Sequence, residues 1–245
     1  MTNEIHIPMY ISKSMVFSFD FCPVQFYKNY ILKIRQKETQ AMLVGTRFHT
    51  FAETFYKFCD KVPDTAWNSF IHEDFQAEEI EMIENFLEFE RNRQYDGDWQ
   101  FQPWASEWWG QSEDLKIRGY VDRIDVSRHN PKEVRLIEFK TGAKWRATQH
   151  KQELVFYSIM FHNINPDYKV TKMGCYNPRL DQYDEWDLKE ADIKRVKVKW
   201  GKVLDAIETM EFKPKCSQIK FAVCGMCSPE ECAFLWRDKD ERSND

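Results

Sequence analysis

Apolar residues recur at helical spacing over residues 15–35 (MVFSFDFCPVQFYKNYILKIR), predicting a helix that begins near Ser18. A second helix is expected over 41–59, where Phe48, Phe51, Phe55 and Phe58 form one apolar stripe. Residues 73–94 read as a charged amphipathic helix whose apolar positions include Ile80, Ile83, Phe86, Leu87 and Phe89. The Trp-rich tract 99–110 reads as extended. Strands are expected near 115–127 and 133–140, then a helix over about 147–163, a strand near 170–177 and a long basic helix near 188–210. Strands in the middle with helices on both sides predict an α/β layer fold.

Composition narrows the class. The chain has 245 residues, 42% hydrophobic and 16% aromatic, enough to bury a sizeable core. With 8 Gly and 9 Pro it is neither fibrous nor of disordered composition. A net charge of −5 does not mark a polyanion binder, but local basic patches decide that question. Lys194, Arg195, Lys197, Lys199 and Lys202, then Lys213, Lys215 and Lys220, fit either such a patch or a solvated helix face. No apolar stretch reaches membrane-helix length and the first residues lack signal-peptide character, so an intracellular protein without membrane association is expected. Disulfides are rare there, so the seven cysteines need another role.

The most informative segment is Gly119–Lys140, GYVDRIDVSRHNPKEVRLIEFK. Two apolar-rich runs flank a turn at His129-Asn130-Pro131. A hairpin symmetric about Asn130 sets Ser127 opposite Glu133 and Asp122 opposite Glu138. Opposed carboxylates repel at that range unless a cation lies between them. Lys140, two residues past Glu138, shares its strand face. Hard carboxylate oxygens suit Mg²⁺ or Mn²⁺, and a neighbouring ammonium suits the charge of phosphodiester hydrolysis. Glu-x-Lys alone is also a common surface pair without chemistry. Glu107, in Ser-Glu-Trp-Trp, is a further carboxylate candidate. Asp125 lies on the other strand face and is expected to pair with Arg123 or another cation.

Together these residues resemble the RecB-like branch of the PD-(D/E)XK nuclease superfamily, from Cys22 to Cys232. The family's Gly-x-x-x-His is matched by Gly45–His49, its Gly-x-x-Asp by Gly119–Asp122, and its Glu-x-Lys-Thr-Gly by Glu138–Gly142. The resemblance implies a restriction-endonuclease-like core: a central mixed β-sheet flanked by helices, with a helical N-terminal arm and a cysteine-bearing C-terminal tail. The expected organisation is one domain over 1–245, with the arm over about 1–98, the sheet core over about 99–180 and the tail helix and cluster over about 181–245. His49, Asp122, Glu138 and the main-chain carbonyl of Phe139 become metal ligands, and Asp122, Glu138 and Lys140 catalytic residues. The next family motif, Gln then Tyr four residues on, aligns with Glu153 and Tyr157, or with Gln152 and Phe156. The first fits the apolar pattern better, though Glu stands where the family has Gln.

Cys224-Gly-Met-Cys227 and Cys232 follow at the end of the chain, and Cys22 precedes Pro23 at its beginning. This spacing suits zinc or an iron–sulfur cluster. A RecB-like subgroup, which includes CRISPR-associated exonucleases and AddB-type nuclease domains, holds a 4Fe–4S cluster with one early and three late cysteines. By that resemblance Cys22, Cys224, Cys227 and Cys232 are cluster ligands, with Zn²⁺ the alternative and Cys216 a spare. Cys59 and Cys175 read as small buried hydrophobes. The resemblance implies Mg²⁺- or Mn²⁺-dependent DNA cleavage, exonucleolytic on single strands, with a CRISPR integrase or a helicase among conceivable partners. The rival is a non-catalytic nucleic-acid-binding or zinc-stapled scaffold on the same fold. Of Trp104, Trp108, Trp109 and Trp145, most are expected in the core, and Trp145 is the favoured base-stacking residue.

Overall fold

The computed structural model describes residues 5–34, 39–62 and 75–213. The chain forms two compact units, Lys37–Val196 and Met1–Gln36 with Lys197–Asp245. The larger holds a five-stranded mixed sheet in the order β1 (Ala105–Ser112), β2 (Ile117–Val126), β3 (Glu133–Phe139), β4 (Lys169–Asn177), β5 (Gln182–Asp187). The first three strands form an antiparallel meander, and β4 and β5 form a hairpin. Strands β3 and β4 are parallel, which requires a crossover. Helix α5 (Ala147–Ile164) supplies it. This is the α/β layered fold expected of a restriction-endonuclease-like core.

The two sheet faces are covered by different helices. Helices α3 (Gln40–Phe58) and α4 (Ala77–Arg93) pack a phenylalanine-rich core onto Ile137, Phe139 and Tyr176. Phe48, Phe55 and Phe139 each meet Phe86 edge to face at centroid distances of 5.7, 5.3 and 5.7 Å. That geometry sets the positive ring edge against the negative face and adds about 1 kcal/mol per pair beyond area burial. Phe58, assigned to the apolar stripe by periodicity, is instead 76% exposed at the end of α3, while Tyr56 and Cys59 on either side of it join the core. On the other face α5 buries Leu154, Val155, Phe156, Met160 and Phe161.

The α3/α4 layer also carries a charge network. Arg123 is fully buried and donates to Glu90 and to the Tyr56 hydroxyl, each at 2.5 Å. Asp125, also fully buried, accepts from Arg135 at 2.9 Å and pairs with Arg123 at 3.0 Å. Arg93 bonds Glu90 at 2.7 Å and the carbonyls of Gln100 and Phe101. The expected pairing of Asp125 is thus present, widened from one arginine to a network.

Helices α3 and α5 run within one residue of the spans predicted for them, and α4 starts four residues later than its predicted span. The structure departs from the sequence reading at the N-terminal helix and adds a fifth strand. The single helix predicted over 15–35 is broken into α1 (Lys13–Phe21), α2 (Pro23–Phe26) and a π-helical turn, Tyr27–Ile31. Cys22 is extended (φ −155°, ψ 112°) because the residue before a proline is pushed out of the α region, and Pro23 then starts the next helix. Strand β5 was not anticipated. Its sequence, QYDEWD, is acidic, and its half-buried side chains hide the alternation. Helix α6 (Glu190–Thr209) follows it. In the smaller unit Lys199 reaches Asp20 at 2.5 Å, and Phe26 stacks on Phe212 at 5.8 Å.

Candidate active site

The β2–β3 register is the symmetric one. Arg123 stands opposite Ile137 and Val126 opposite Val134, and Ser127 N–H donates to the Glu133 carbonyl. One step further would pair Asp122 with Glu138, but there the ladder stops and the Asp122 carboxylate takes over. Its Oδ2 accepts from the Phe139 N–H at 2.6 Å. On the β1 side the ladder likewise runs through Ser106–Arg123 and Trp108–Val121 and skips the rung of Glu107 and Asp122. Glu107 there adopts φ 47°, in the left-handed region that costs a residue with a Cβ about 1 kcal/mol or more. Two interrupted ladders leave a carboxylate-lined gap in an otherwise regular sheet.

Helix α3 closes that gap from above. His49 Nδ1 lies 3.3 Å from Glu107 Oε1 and 3.6 Å from Asp122 Oδ1. One donor atom from each of His49, Glu107 and Asp122 falls within 4.8 Å of the others. The close approach of α3 depends on Gly45, where a Cβ would come within 3.1 Å of Thr141 Oγ1. The loop carrying Thr141 is itself tied down. Arg179 donates to the Thr141 carbonyl at 2.7 Å, and Asn177 to that of Gly142 at 2.8 Å. A cleft of about 520 Å³ opens beside the cluster, lined by Met42, Gly45, His49, Glu53, Glu107 and Thr141.

Between Ile137 and Phe139, which face α3 and α4, Glu138 turns the other way. Its Oε1 lies 2.6 Å from Lys140 Nζ, and Lys140 reaches Glu153 of α5 at 2.7 Å. Lys140 thus bridges two buried carboxylates. Gln149, one turn before Glu153, donates to it at 2.9 Å. Tyr157, a turn further along α5, packs against Gly119, where a Cβ would meet its ring at 2.8 Å. Gly119 has no positive φ, so this glycine supplies space for the tyrosine. Gln152 lines a separate groove with Lys151, Trp186 and Asp192, and Phe156 is buried. The structure therefore brings Glu153 and Tyr157 to Lys140 and Gly119, and not Gln152 and Phe156.

Electrostatics follow from this crowding of acids. Burial pulls the His49 pKa down, yet Asp122, Glu107 and Glu138 outweigh it and carry it up to about 9. The acids crowded around His49 thus make the site attractive to positive charge. Burial, then Glu138 and Asp122, push the Tyr157 hydroxyl well above its usual range, so it stays a proton donor. Burial does the same to the Cys175 thiol, which stands opposite Glu138 on β4 and is inert. Oxygen and imidazole donors fit a hard or borderline divalent ion such as Mg²⁺ or Mn²⁺.

The other sequence candidates separate. Trp108 packs on Phe161 and Trp104 on Phe161 and Tyr168. Trp145, favoured for base stacking, is half-buried, donates to Asp184 at 2.8 Å and packs on His150. Trp109 is 45% exposed. Cys22 is buried and in no disulfide, while Cys216, Cys224, Cys227 and Cys232 lie outside the described residues. Sequence reasoning missed Gln149, Asn177 and Arg179. Gln149 had a signal in its i, i+4 spacing to Glu153, and the other two had none.

The model of the PD-(D/E)XK nuclease superfamily matches residues 10–234. The chain belongs to that superfamily. Its sheet and helical layers are thus those of a PD-(D/E)XK nuclease, a hydrolase acting on nucleic acid, and such nucleases typically use a divalent metal. Among solved structures, a candidate exonuclease from Eubacterium rectale aligns over 90% of this chain and 90% of its own, with TM-score 0.52 and 11% identity. That likeness shows the fold. No curated protein matches the sequence. Among the described residues no helix is long and apolar enough to cross a membrane.

Proposed function

We propose that this PD-(D/E)XK chain is a RecB-like deoxyribonuclease that removes nucleotides from single-stranded DNA ends, using Mg²⁺ or Mn²⁺. The observation that carries this reading is Lys140, held between Glu138 and Glu153 next to the His49, Glu107 and Asp122 donors. His49, Glu107 and Asp122 would hold the ion, with Glu138 and the Phe139 carbonyl completing its shell. The ion, when bound, supplies Lewis-acid stabilisation of phosphate charge and lowers the pKa of water. Lys140 orients the attacking water and donates to the phosphate oxygens as negative charge builds on them. Glu153, steadied by Gln149, holds the ammonium in line, and does so as a charged partner where the family's Gln is neutral. Tyr157 keeps a protonated hydroxyl near Glu138 and Asp122 and packs α5 against the active strand.

Cys22, Cys224, Cys227 and Cys232 are proposed to hold a 4Fe–4S cluster. Cys22 is a buried thiol outside any disulfide, as a ligand of that kind must be. The whole chain, 1–245, would then work as one nuclease domain of arm, sheet core and cluster-bearing tail. A CRISPR integrase or a helicase as working partner belongs to the same proposal.

Manganese-dependent release of labelled nucleotides from end-labelled single-stranded DNA is the test. Lys140→Ala is expected to lower the rate about 100-fold or more. Equal rates for both proteins would end the nuclease reading and leave the non-catalytic binder. Resistance of circular single strands distinguishes end-dependent cleavage from internal cleavage.

A further inference from the structure

The β1–β2 ribbon carries successive cross-strand pairs leading away from the ion site. Past the Glu107/Asp122 rung come Trp109 opposite Tyr120 and then Gln111 opposite Arg118. Beyond that irregular rung, successive side chains of each strand point to opposite faces. Trp108, between Glu107 and Trp109, turns onto Phe161 of α5. Gly110 and Gly119 also face α5, where added Cβ atoms would meet Met160 and Tyr157. Trp109 and Tyr120 therefore point away from α5, to the side from which His49 meets Glu107. They are 45% and 52% exposed, and their rings lie 4.6 Å apart. A large aromatic pair left in water beside an acidic ion site is costly in solubility and invites a flat apolar partner.

We infer that Trp109 and Tyr120 form a stacking platform for an unpaired nucleobase adjacent to the phosphate held at Glu107, Asp122 and His49. The inference rests on the nuclease reading for the position of that phosphate. Each rung advances about 7 Å along the strands, the span of one extended nucleotide. Arg118, exposed on the following rung, lies where the next phosphate would pass. Every base has a π-face, so the platform takes single strands without sequence preference. It cannot take a paired base within a stacked duplex, whose faces are already covered. The substrate class is thus a strand with an unpaired end.

Fluorescence anisotropy with labelled oligothymidylate tests this, in calcium and with the strand's integrity verified after each titration. Stacking on one aromatic side chain changes affinity by roughly 5- to 150-fold per base, so Trp109→Ala and Tyr120→Ala are each expected to weaken binding about tenfold or more. Trp109→Phe keeps a ring and should restore most of the loss. Oligothymidylates with one abasic position scanned along the strand supply the decisive comparison. At one position the wild type should lose as much affinity as Trp109→Ala does, while Trp109→Ala loses nothing further. Equal binding of intact and abasic strands by the wild type, or unchanged binding by Trp109→Ala, would overturn the platform. Cutting is assayed separately in manganese. A protein that cuts but ignores abasic positions loses the platform and keeps the nuclease reading, and one that binds through the base but never cuts does the reverse.

Discussion

Asp125 lies three residues from Asp122 yet serves the fold. It is fully buried, and burial alone would raise its pKa. Arg123, Arg93 and Arg135 outweigh that and hold it below its ordinary value of 3.8. A folded-state pKa below the unfolded one means stability present above the unfolded value and lost as pH falls through the folded value. Denaturant midpoints should therefore hold steady at neutral pH and drop below about pH 4. Asp125→Ala should cost about 3–5 kcal/mol at neutral pH, because it strands buried guanidinium groups, and should flatten that acid limb. An acid limb unchanged in Asp125→Ala would assign the transition to other carboxylates. Glu107 presents the opposite case, a residue whose backbone is strained for the sake of its carboxylate. Glycine there relieves about 1 kcal/mol of left-handed strain and adds a comparable unfolded-state entropy. Glu107→Gly should thus leave the melting temperature nearly unchanged while manganese affinity, measured by titration calorimetry, falls at least about tenfold. Unchanged affinity would remove Glu107 from the ligand set.

At the scale of elements, the motif glycines are packing devices. Gly119 admits Tyr157 and Gly45 admits the loop at Thr141, so each sets how closely a helix approaches the catalytic strands. Gly119→Ala forces Tyr157 to move and should cost about 1–3 kcal/mol. Trimming the partner in the double variant Gly119→Ala/Tyr157→Val should recover part of that loss in thermal unfolding, whereas additive losses would mean the two do not touch. The β2–β3 hairpin was legible because its information is local. A turn at His129-Asn130-Pro131 and a period of two fix the register, and the register fixes which carboxylates meet. Glu107 was legible only as one acid among many. Its place in the site depends on a positive φ and on α3 descending onto β1, neither of which the tract SEWW encodes by periodicity. The acidic β5 was hidden for a related reason: Glu185 is there to meet Arg135 at 2.9 Å, a tertiary partner fifty residues away. The surroundings of Trp145 are set by the same kind of fact, since Asp184 of β5 accepts its indole N–H.

At the scale of the whole molecule, one unit is continuous in sequence and the other joins the two ends of the chain. The sheet unit, Lys37–Val196, has its own phenylalanine core and charge network. The unit of Met1–Gln36 and Lys197–Asp245 must instead close a loop of more than one hundred residues, an entropic cost of about 4–5 kcal/mol by analogy with disulfide closure. A cluster ligated by Cys22 at one end and by Cys224, Cys227 and Cys232 at the other would offset that cost. Removing the iron should then act unequally on the two units. Anaerobically purified protein is expected to be brown, with about four iron atoms per chain. After chelation, hydrogen exchange should accelerate in α1 and α2 while β2 and β3 keep their protection. Cys227→Ser should reproduce the pattern without a chelator. Colourless protein carrying zinc would replace the cluster with a zinc staple but predict the same unequal loss. Uniform loss of protection across both units would instead mean that the metal stabilises the sheet as directly as it does the chain ends.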